Sequence, residues 1–489
     1  MALPRAREGA FRACSSTAEE EFMGIVSKLR MHFIHQAGLA ALICGIAGVA
    51  WAQTPPTGSP PTEPQTGTPH APQTPEPSKP PTAAAIPGVV NLGPSREVKL
   101  SENTWFRFAV QVQAWVQARQ DRLTTGADGT YAYDIFCRRC RFFTTGSVVK
   151  NVFFNFLFEA APGRADPVTG AKAPSTPQVL DAYGQVKFAD WLSLSAGNVL
   201  MPTSREGTQP TTTYLALDIS NVATTPALQG NTYVLRDLGV QANGFFLDNH
   251  LEYRLGIWQG SRQAAVTTGT PPVTVQSAGH NGPRVVGSLM LDFWDPEVGY
   301  VSGGHYYGTK KVLGLMGAFD YQSFRKDGPP SPGTGKNAFY GFTGAAFINY
   351  PLSGQGNPRG GDEIVGLLQF GYYDGGFTQS PLGVTTNPGT YPNVLKQTNY
   401  LAEAAYFNHG GKFSVFGKYE MRKISDDYVA PVKAASNQTW IAGGLKYYLA
   451  PANLMYLTLQ YERIINNDAP STQQGGTNNL TFAWQTILY

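Results

Sequence analysis

The stretch WFRFAVQVQAWVQAR, residues 105–119, alternates apolar and polar side chains along its length. Phe106, Phe108, Val110, Val112, Ala114, Val116 and Ala118 share one face, while Arg107, Gln111, Gln113, Gln117 and Arg119 share the other. Period two is the period of a strand, because successive Cβ atoms point to opposite sides. An average globular strand runs about five or six residues. This alternation lasts fourteen. A tilted strand needs about 9–11 residues to cross the apolar core of a bilayer, so the segment is long enough to span one.

The same design recurs. Val152, Phe154, Phe156 and Phe158 oppose Asn151, Asn155 and Glu159; Leu180, Ala182, Val186 and Phe188 oppose Asp181, Tyr183, Gln185 and Lys187. Leu251, Tyr253, Leu255 and Ile257 oppose Glu252 and Arg254, and Phe413, Val415, Tyr419 and Met421 oppose Lys418, Glu420 and Arg422. Strands are expected near 104–119, 133–145 (whose faces read as mixed), 150–160, 178–188, 190–198, 233–246, 250–260 and 283–294. Eight more follow near 311–322, 338–350, 362–374, 398–408, 411–422, 438–449, 453–463 and 479–489. The fold class that results is all-β, a transmembrane antiparallel β-barrel of sixteen strands.

Connection lengths test this independently, since such barrels have short turns at one end and longer loops at the other. Turns at 188–190, 247–249, 408–410 and 450–452 alternate with long Gly-, Pro- and Thr-rich connections such as 161–177, 199–232, 261–282 and 375–397. Two connections, near 295–310 and 351–361, are too long for the turns they should be, and an error of register is one reading of them. Leu480 to Tyr489 is β-rich and ends in an aromatic residue, as a last strand closing on the first would require.

Composition agrees. Charged residues make up 15 % and aromatics 12 % of 489 residues, with 54 glycines, a profile far from that of an ordinary soluble domain. After residue 52 no apolar run is long enough for a transmembrane helix. Residues 1–52 read as a signal-peptide region: Lys28 and Arg30 lead into the apolar run Ala37–Val49, then Ala50-Trp51-Ala52. The charged segment ahead of Met23 suggests a true start at Met23 or Met31. Residues 53–100 read as a Pro/Thr-rich periplasmic linker with little to bury, and residues 101–489 as the barrel. Removing residues 1–52 takes five of 37 Lys/Arg and four of 34 Asp/Glu, leaving +2, which excludes a basic nucleic-acid binder.

Arg236-Asp-Leu-Gly-Val-Gln241 followed by Leu247-Asp-Asn-His-Leu-Glu-Tyr-Arg-Leu-Gly-Ile-Trp-Gln-Gly260 resembles the mid-barrel hairpin of the phosphate-selective porins O and P. Arg138-Arg139-Cys140-Arg141 resembles that family's early arginine-rich strand, and Leu194–Glu206 the strand leading into its constriction loop. The resemblance covers roughly residues 100–489 and marks the chain as a divergent relative. It implies a channel in a Gram-negative outer membrane, a homotrimer in contact with outer-membrane lipid, and the 199–232 loop folded into the pore. It also implies passage of small hydrophilic solutes with anion or phosphate preference. The departures are the cysteines that interrupt the arginine motif and a loop rich in Thr and Ala rather than charge.

Parity places Arg119, Arg139, Arg141, Lys187, Arg254 and Lys418 toward the lumen, and Arg205 enters the loop. Two readings stay open: a basic track that favours anions, or a lumen in which these residues pair with Glu159, Asp181, Glu252, Glu403, Glu420 and Glu462. Arg138 has the wrong parity for its neighbours and belongs to a bulge, a rim or an interface. Cys137 and Cys140, three apart, would point to opposite faces of a regular strand and could not bond there; only a bulge would join them. Trp105, Trp191, Trp294, Tyr372, Tyr373, Tyr447 and Tyr448 sit where interfacial girdles are expected. Neither metal, cofactor nor catalytic residue is expected: the sequence holds no nucleophile elbow, Walker loop or His-Glu-x-x-His. A passive channel is the leading reading and no enzyme is implied. An envelope-anchoring barrel with incidental conduction is the alternative.

Overall fold

The computed structural model describes residues 97–120, 131–161, 177–229, 235–261, 266–268, 273–275, 282–323, 338–353, 361–375, 394–408, 412–426, 433, 436–450, 453–468 and 477–488. Residues 1–96, which hold the expected signal-peptide region and nearly all of the expected linker, and the terminal Tyr489 lie outside the described residues.

Sixteen long strands form a closed ring. They are β1 Trp105–Gln120, β2 Tyr131–Val149, β3 Val152–Glu159, β4 Gln178–Ala189, β5 Leu192–Leu200, β6 Arg236–Phe246, β7 Leu251–Trp258 and β8 Arg284–Asp292. There follow β9 Val312–Ser323, β10 Ala338–Pro351, β11 Glu363–Asp374, β12 Gln397–Asn408, β13 Phe413–Ile424, β14 Gln438–Ala450, β15 Met455–Asn466 and β16 Thr477–Leu488. Each pairs antiparallel with its neighbours in the chain, and β16 pairs with β1 from Asn479↔Arg119 to Leu488↔Val110. A short strand, Glu97–Lys99, continues that side of β1 by pairing with Trp105–Arg107. The sixteen strands expected from alternation are the sixteen of the barrel.

Burial along the wall is inverted relative to a soluble protein. On β16, Gln485 is fully buried and Thr481 nearly so, while Leu480, Phe482 and Trp484 are about half exposed. On β11, Leu368 is 63 % exposed beside Gln369 at 4 %. Leu238, Val240, Leu255, Ile257, Leu289, Leu315 and Phe342 continue the exposed apolar surface around the ring. Water cannot stabilise such a belt, whereas hydrocarbon can. Closure leaves none of the sixteen strands as an edge, so they satisfy their backbone hydrogen bonds within the wall, as a bilayer demands.

Two of the register shifts between strands, both away from the short turns, break simple alternation. Between β3 and β4 the register steps from Leu157↔Asp181 to Phe158↔Val179. Leu180 is therefore fully buried on the inner side, not outside as parity gave it. Between β1 and β2 it steps from Gln113↔Arg139 to Ala114↔Cys137, which accounts for the mixed faces of β2. The turn between β6 and β7 runs through Leu247, Asp248 and Asn249, all with positive φ, a conformation that Asp and Asn adopt more readily than most residues. Only part of the expected aromatic girdle faces outward: Trp191 and Tyr447 are exposed, while Trp105, Tyr373 and Tyr448 are buried on the lumen side.

Candidate functional site

The inner face is lined with amides, hydroxyls and ion pairs, and two segments fold against it. The first is the connection after β5. Its entry is fixed by Gly197, at φ +133°, where a Cβ would lie 2.2 Å from the Ala182 carbonyl oxygen. Residues 201–229 then run through the lumen, making a 3-10 turn at Glu206–Thr208 and a helix, α1, at Asn221–Gln229. Ser220 caps α1: its hydroxyl accepts from the Ala223 N–H at 3.3 Å, and its carbonyl accepts from the Thr224 N–H at 3.1 Å.

Pro226 sits inside α1 and has no N–H for the Val222 carbonyl four residues back. The Tyr373 hydroxyl of β11 donates to that carbonyl instead, at 2.7 Å. Arg284 of β8 donates to the Pro226 carbonyl at 2.8 Å, and Asn399 of β12 donates to the Thr225 hydroxyl at 3.0 Å. The loop is tied to further strands around the ring as well. Gln460 of β15 accepts from the Leu217 N–H at 3.0 Å, and Glu420 of β13 accepts from the Asn221 N–H at 2.5 Å. Thr211 donates to Gln111 of β1 at 3.2 Å and accepts from Arg141 of β2 at 3.0 Å. Leu215, Ala216 and Val222 pack on an apolar inner patch that includes Phe347, Leu367, Leu401 and Phe416. The loop thus bridges the lumen from wall to wall.

The second segment is the overlong connection between β8 and β9. It belongs to the short-turn end, and no register error hides in it. Residues 297–308 turn inward. Glu297 accepts two bonds from Arg205 Nη2, at 2.7 and 2.9 Å. The Ser302 N–H donates to the Thr208 carbonyl at 3.1 Å, and the Gly304 N–H to the Thr213 hydroxyl at 2.9 Å. The Tyr300 hydroxyl accepts from the Leu200 N–H at 2.8 Å, and its ring packs on Tyr183 with centroids 4.8 Å apart. His305 is buried 3.3 Å from Glu363 and stacks on Phe407. Loop and connection, entering from opposite ends, meet inside the barrel.

The residues singled out by parity fall into three groups. Arg139, Arg141, Arg254 and Lys418 face the lumen, each against a carboxylate. Arg139 Nη2 lies 2.5 Å from Asp218, and Arg141 Nε lies 2.9 Å from Glu159. Arg254 lies 2.8 Å from Glu252, and Lys418 Nζ lies 3.5 Å from Glu420 and 3.3 Å from the Asp218 carbonyl. Arg205 is no open wall residue: it is held between Glu297 and the Phe347 ring, 4.2 Å away, as a bolt between the two inner segments. Arg119 and Lys187 stand toward the ends, away from this meeting point. Arg119, near the long-loop end of β1, is partly exposed opposite Asn479. Lys187, near the short turn, lies 2.6 Å from Asp190 and holds that exposed carboxyl below its usual range by hydrogen bond and charge.

Sequence reading passed over Asp218, Glu297 and Tyr300, all central here, placed Tyr373 in a girdle rather than in the lumen, and missed two further inner pairs. Arg236 lies 3.2 Å from Asp181, and Arg284 lies 2.5 Å from Asp320. The one available signal was the length of the connection carrying Glu297 and Tyr300. Arg138 is placed by the bulge and reaches Asp218 at 2.7 Å. Cys137 and Cys140, expected to stay apart, are joined as a disulfide, because the bulge puts them on one face.

The fold is similar to that of a solved outer-membrane protein. OmpF of Salmonella typhi, solved as a complex with daunomycin, superposes with a TM-score of 0.50 at 13 % identity, over 80 % of this chain and 100 % of that one. The chain has the porin fold. The outer membrane channel DcaP of Acinetobacter baumannii matches at a TM-score of 0.48 and 10 % identity, over 80 % of this chain and 99 % of that one. No protein-family profile matches the sequence, and no curated protein matches it. Among the described residues no group of His, Cys, Asp and Glu could hold a metal ion.

Proposed function

We propose that this porin-fold chain forms a channel in the outer membrane of a Gram-negative cell, through which small hydrophilic solutes diffuse passively. The observation that carries the reading is the inverted wall: apolar side chains face out around a closed ring while amides and ion pairs face in. A ring that only anchored a tether would not need a lumen lined by paired charges. The loop at 201–229 and the connection at 297–308 narrow the path together, so the bore is set where they meet.

Passage involves no bond chemistry. A solute exchanges part of its hydration for the inner hydroxyls, amides and fixed charges, and its size is sieved by the two segments. Charge selection follows from the balance of fixed charge along the path. Arg141, Arg205, Arg254 and Lys418 each stand against a carboxylate, which supports weak charge selection overall. Arg138 and Arg139 share Asp218, and they are where the anion preference implied by the resemblance would arise. We take the working unit to be a homotrimer in contact with outer-membrane lipid.

Liposome swelling with sugars of graded size tests the proposal. Vesicles holding the purified protein are expected to swell in small sugars and to lose that response as the sugar grows. Swelling no faster than in protein-free vesicles would overturn it.

A further inference from the structure

The proposed channel leaves one feature of the wall unexplained: a disulfide within a single strand. In a regular strand, positions three apart face opposite ways and lie about 10 Å apart along the chain. In β2 the extra residue Arg138 lets Cys137 and Cys140 fall on the same outward side, with Cα atoms 6.5 Å apart. Ile135 and Phe142, next along that side, are exposed. The bulge has a second consequence on the inner face. Adjacent residues normally diverge, yet Arg138 and Arg139 both turn into the lumen and converge on one carboxylate.

Arg138 Nε and Nη2 lie 3.0 and 2.7 Å from Asp218 Oδ2, and Arg139 Nη2 lies 2.5 Å from Oδ1. Arg138 also stands over the Trp115 ring at 5.7 Å, while Arg139 donates to Gln113. Asp218 belongs to the loop that spans the lumen, and its backbone carbonyl accepts from Lys418 of β13. One loop residue is therefore gripped from two walls, and the grip from β2 depends on two successive arginines facing inward.

We propose that the Cys137–Cys140 bond is a positioning device for the pore: it holds the bulge that keeps Arg138 on Asp218, and so fixes the constriction loop and the sign of the charge beside it. Cys137 and Cys140 are positioning residues acting through Arg138. The inference rests on the channel reading for its electrical test, and a second readout stands apart from conduction.

Cys137→Ser/Cys140→Ser, Arg138→Gln and the triple variant are compared with the native protein for reversal potential in a salt gradient. The double-cysteine variant and Arg138→Gln should both shift it toward cations. The triple variant should match Arg138→Gln, because effects passing through one residue do not add. A double-cysteine variant indistinguishable from native, or additive shifts, would overturn the proposal. Loss of stability alone would lower yield without moving the reversal potential of the channels that insert. Independently, a nitroxide carried on Ile219→Cys in detergent should become more mobile when Cys137 and Cys140 are replaced. An unchanged spectrum would overturn the proposal even if conduction itself were absent. Peptide mapping without reductant should return Cys137 and Cys140 as a bonded pair; free thiols there would end the case.

Discussion

Arg205 and Glu297 join the two segments that narrow the barrel: one guanidinium nitrogen lies 2.7 and 2.9 Å from the two carboxylate oxygens, and both side chains are 2 % exposed. Arg205 descends from the loop after β5 and Glu297 rises from the connection after β8. Breaking such a buried pair from one side typically costs about 3–5 kcal/mol, because the remaining charge is left buried without its counter-charge. Glu297→Ala should therefore free the two segments from one another. Single-channel recording is expected to show larger and noisier open currents, with strand content by circular dichroism unchanged. Native currents in this variant would remove Arg205 and Glu297 from the account of the bore.

The helix α1 offers a subtler test. Tyr373 supplies the donor that Pro226 lacks, so Tyr373→Phe should leave the Val222 carbonyl unsatisfied at a cost of roughly 1–3 kcal/mol. Faster amide exchange across residues 221–227, read by mass spectrometry, is the expected result. Pro226→Ala restores an N–H at that position and should reduce the effect of Tyr373→Phe.

Leu368 lies midway along β11 on the outward face. If hydrocarbon covers that face, Leu368→Arg should cost about 2–4 kcal/mol, whereas Leu368→Tyr should be tolerated. The urea midpoint for unfolding from lipid vesicles measures both. Equal tolerance of the two would mean that β11 does not face lipid.

Charge selection should respond to position. Arg141→Ala strands Glu159 in the lumen, so the reversal potential should move toward cations. Arg119→Ala, at the partly exposed end of β1, should move it far less, since water and salt screen that site. Equal shifts would contradict the placement of the constriction.

The wall was legible because alternation is local: apart from β2, whose faces read as mixed, the strands from Trp105–Gln120 to Thr477–Leu488 announce their faces by their own side chains. One missed residue shows the limit. Leu180 breaks parity and joins Asp181 on the inner side because a bulge forms against β3, and a bulge is a property of two strands rather than one. The same reason hid the disulfide, since Cys137 and Cys140 meet only after Arg138 is displaced opposite Gln113 and Ala114. The lumen was less readable still. Parity said which side Arg139, Arg141 and Arg254 face, but Asp218 and Tyr300 come from connections with no periodicity to reveal where they fold. Arg205 shows the result most plainly. It was expected as a pore-lining cation, and it lies buried on a glutamate 92 positions away in the chain.

Planar-bilayer recording of the purified protein is the most direct measurement. The porin fold with its polar, two-sided constriction should give discrete steps of conductance in symmetrical salt, with smaller, quieter steps for native protein than for Glu297→Ala. Folded, bilayer-inserted protein that gives no steps in either form would contradict the channel.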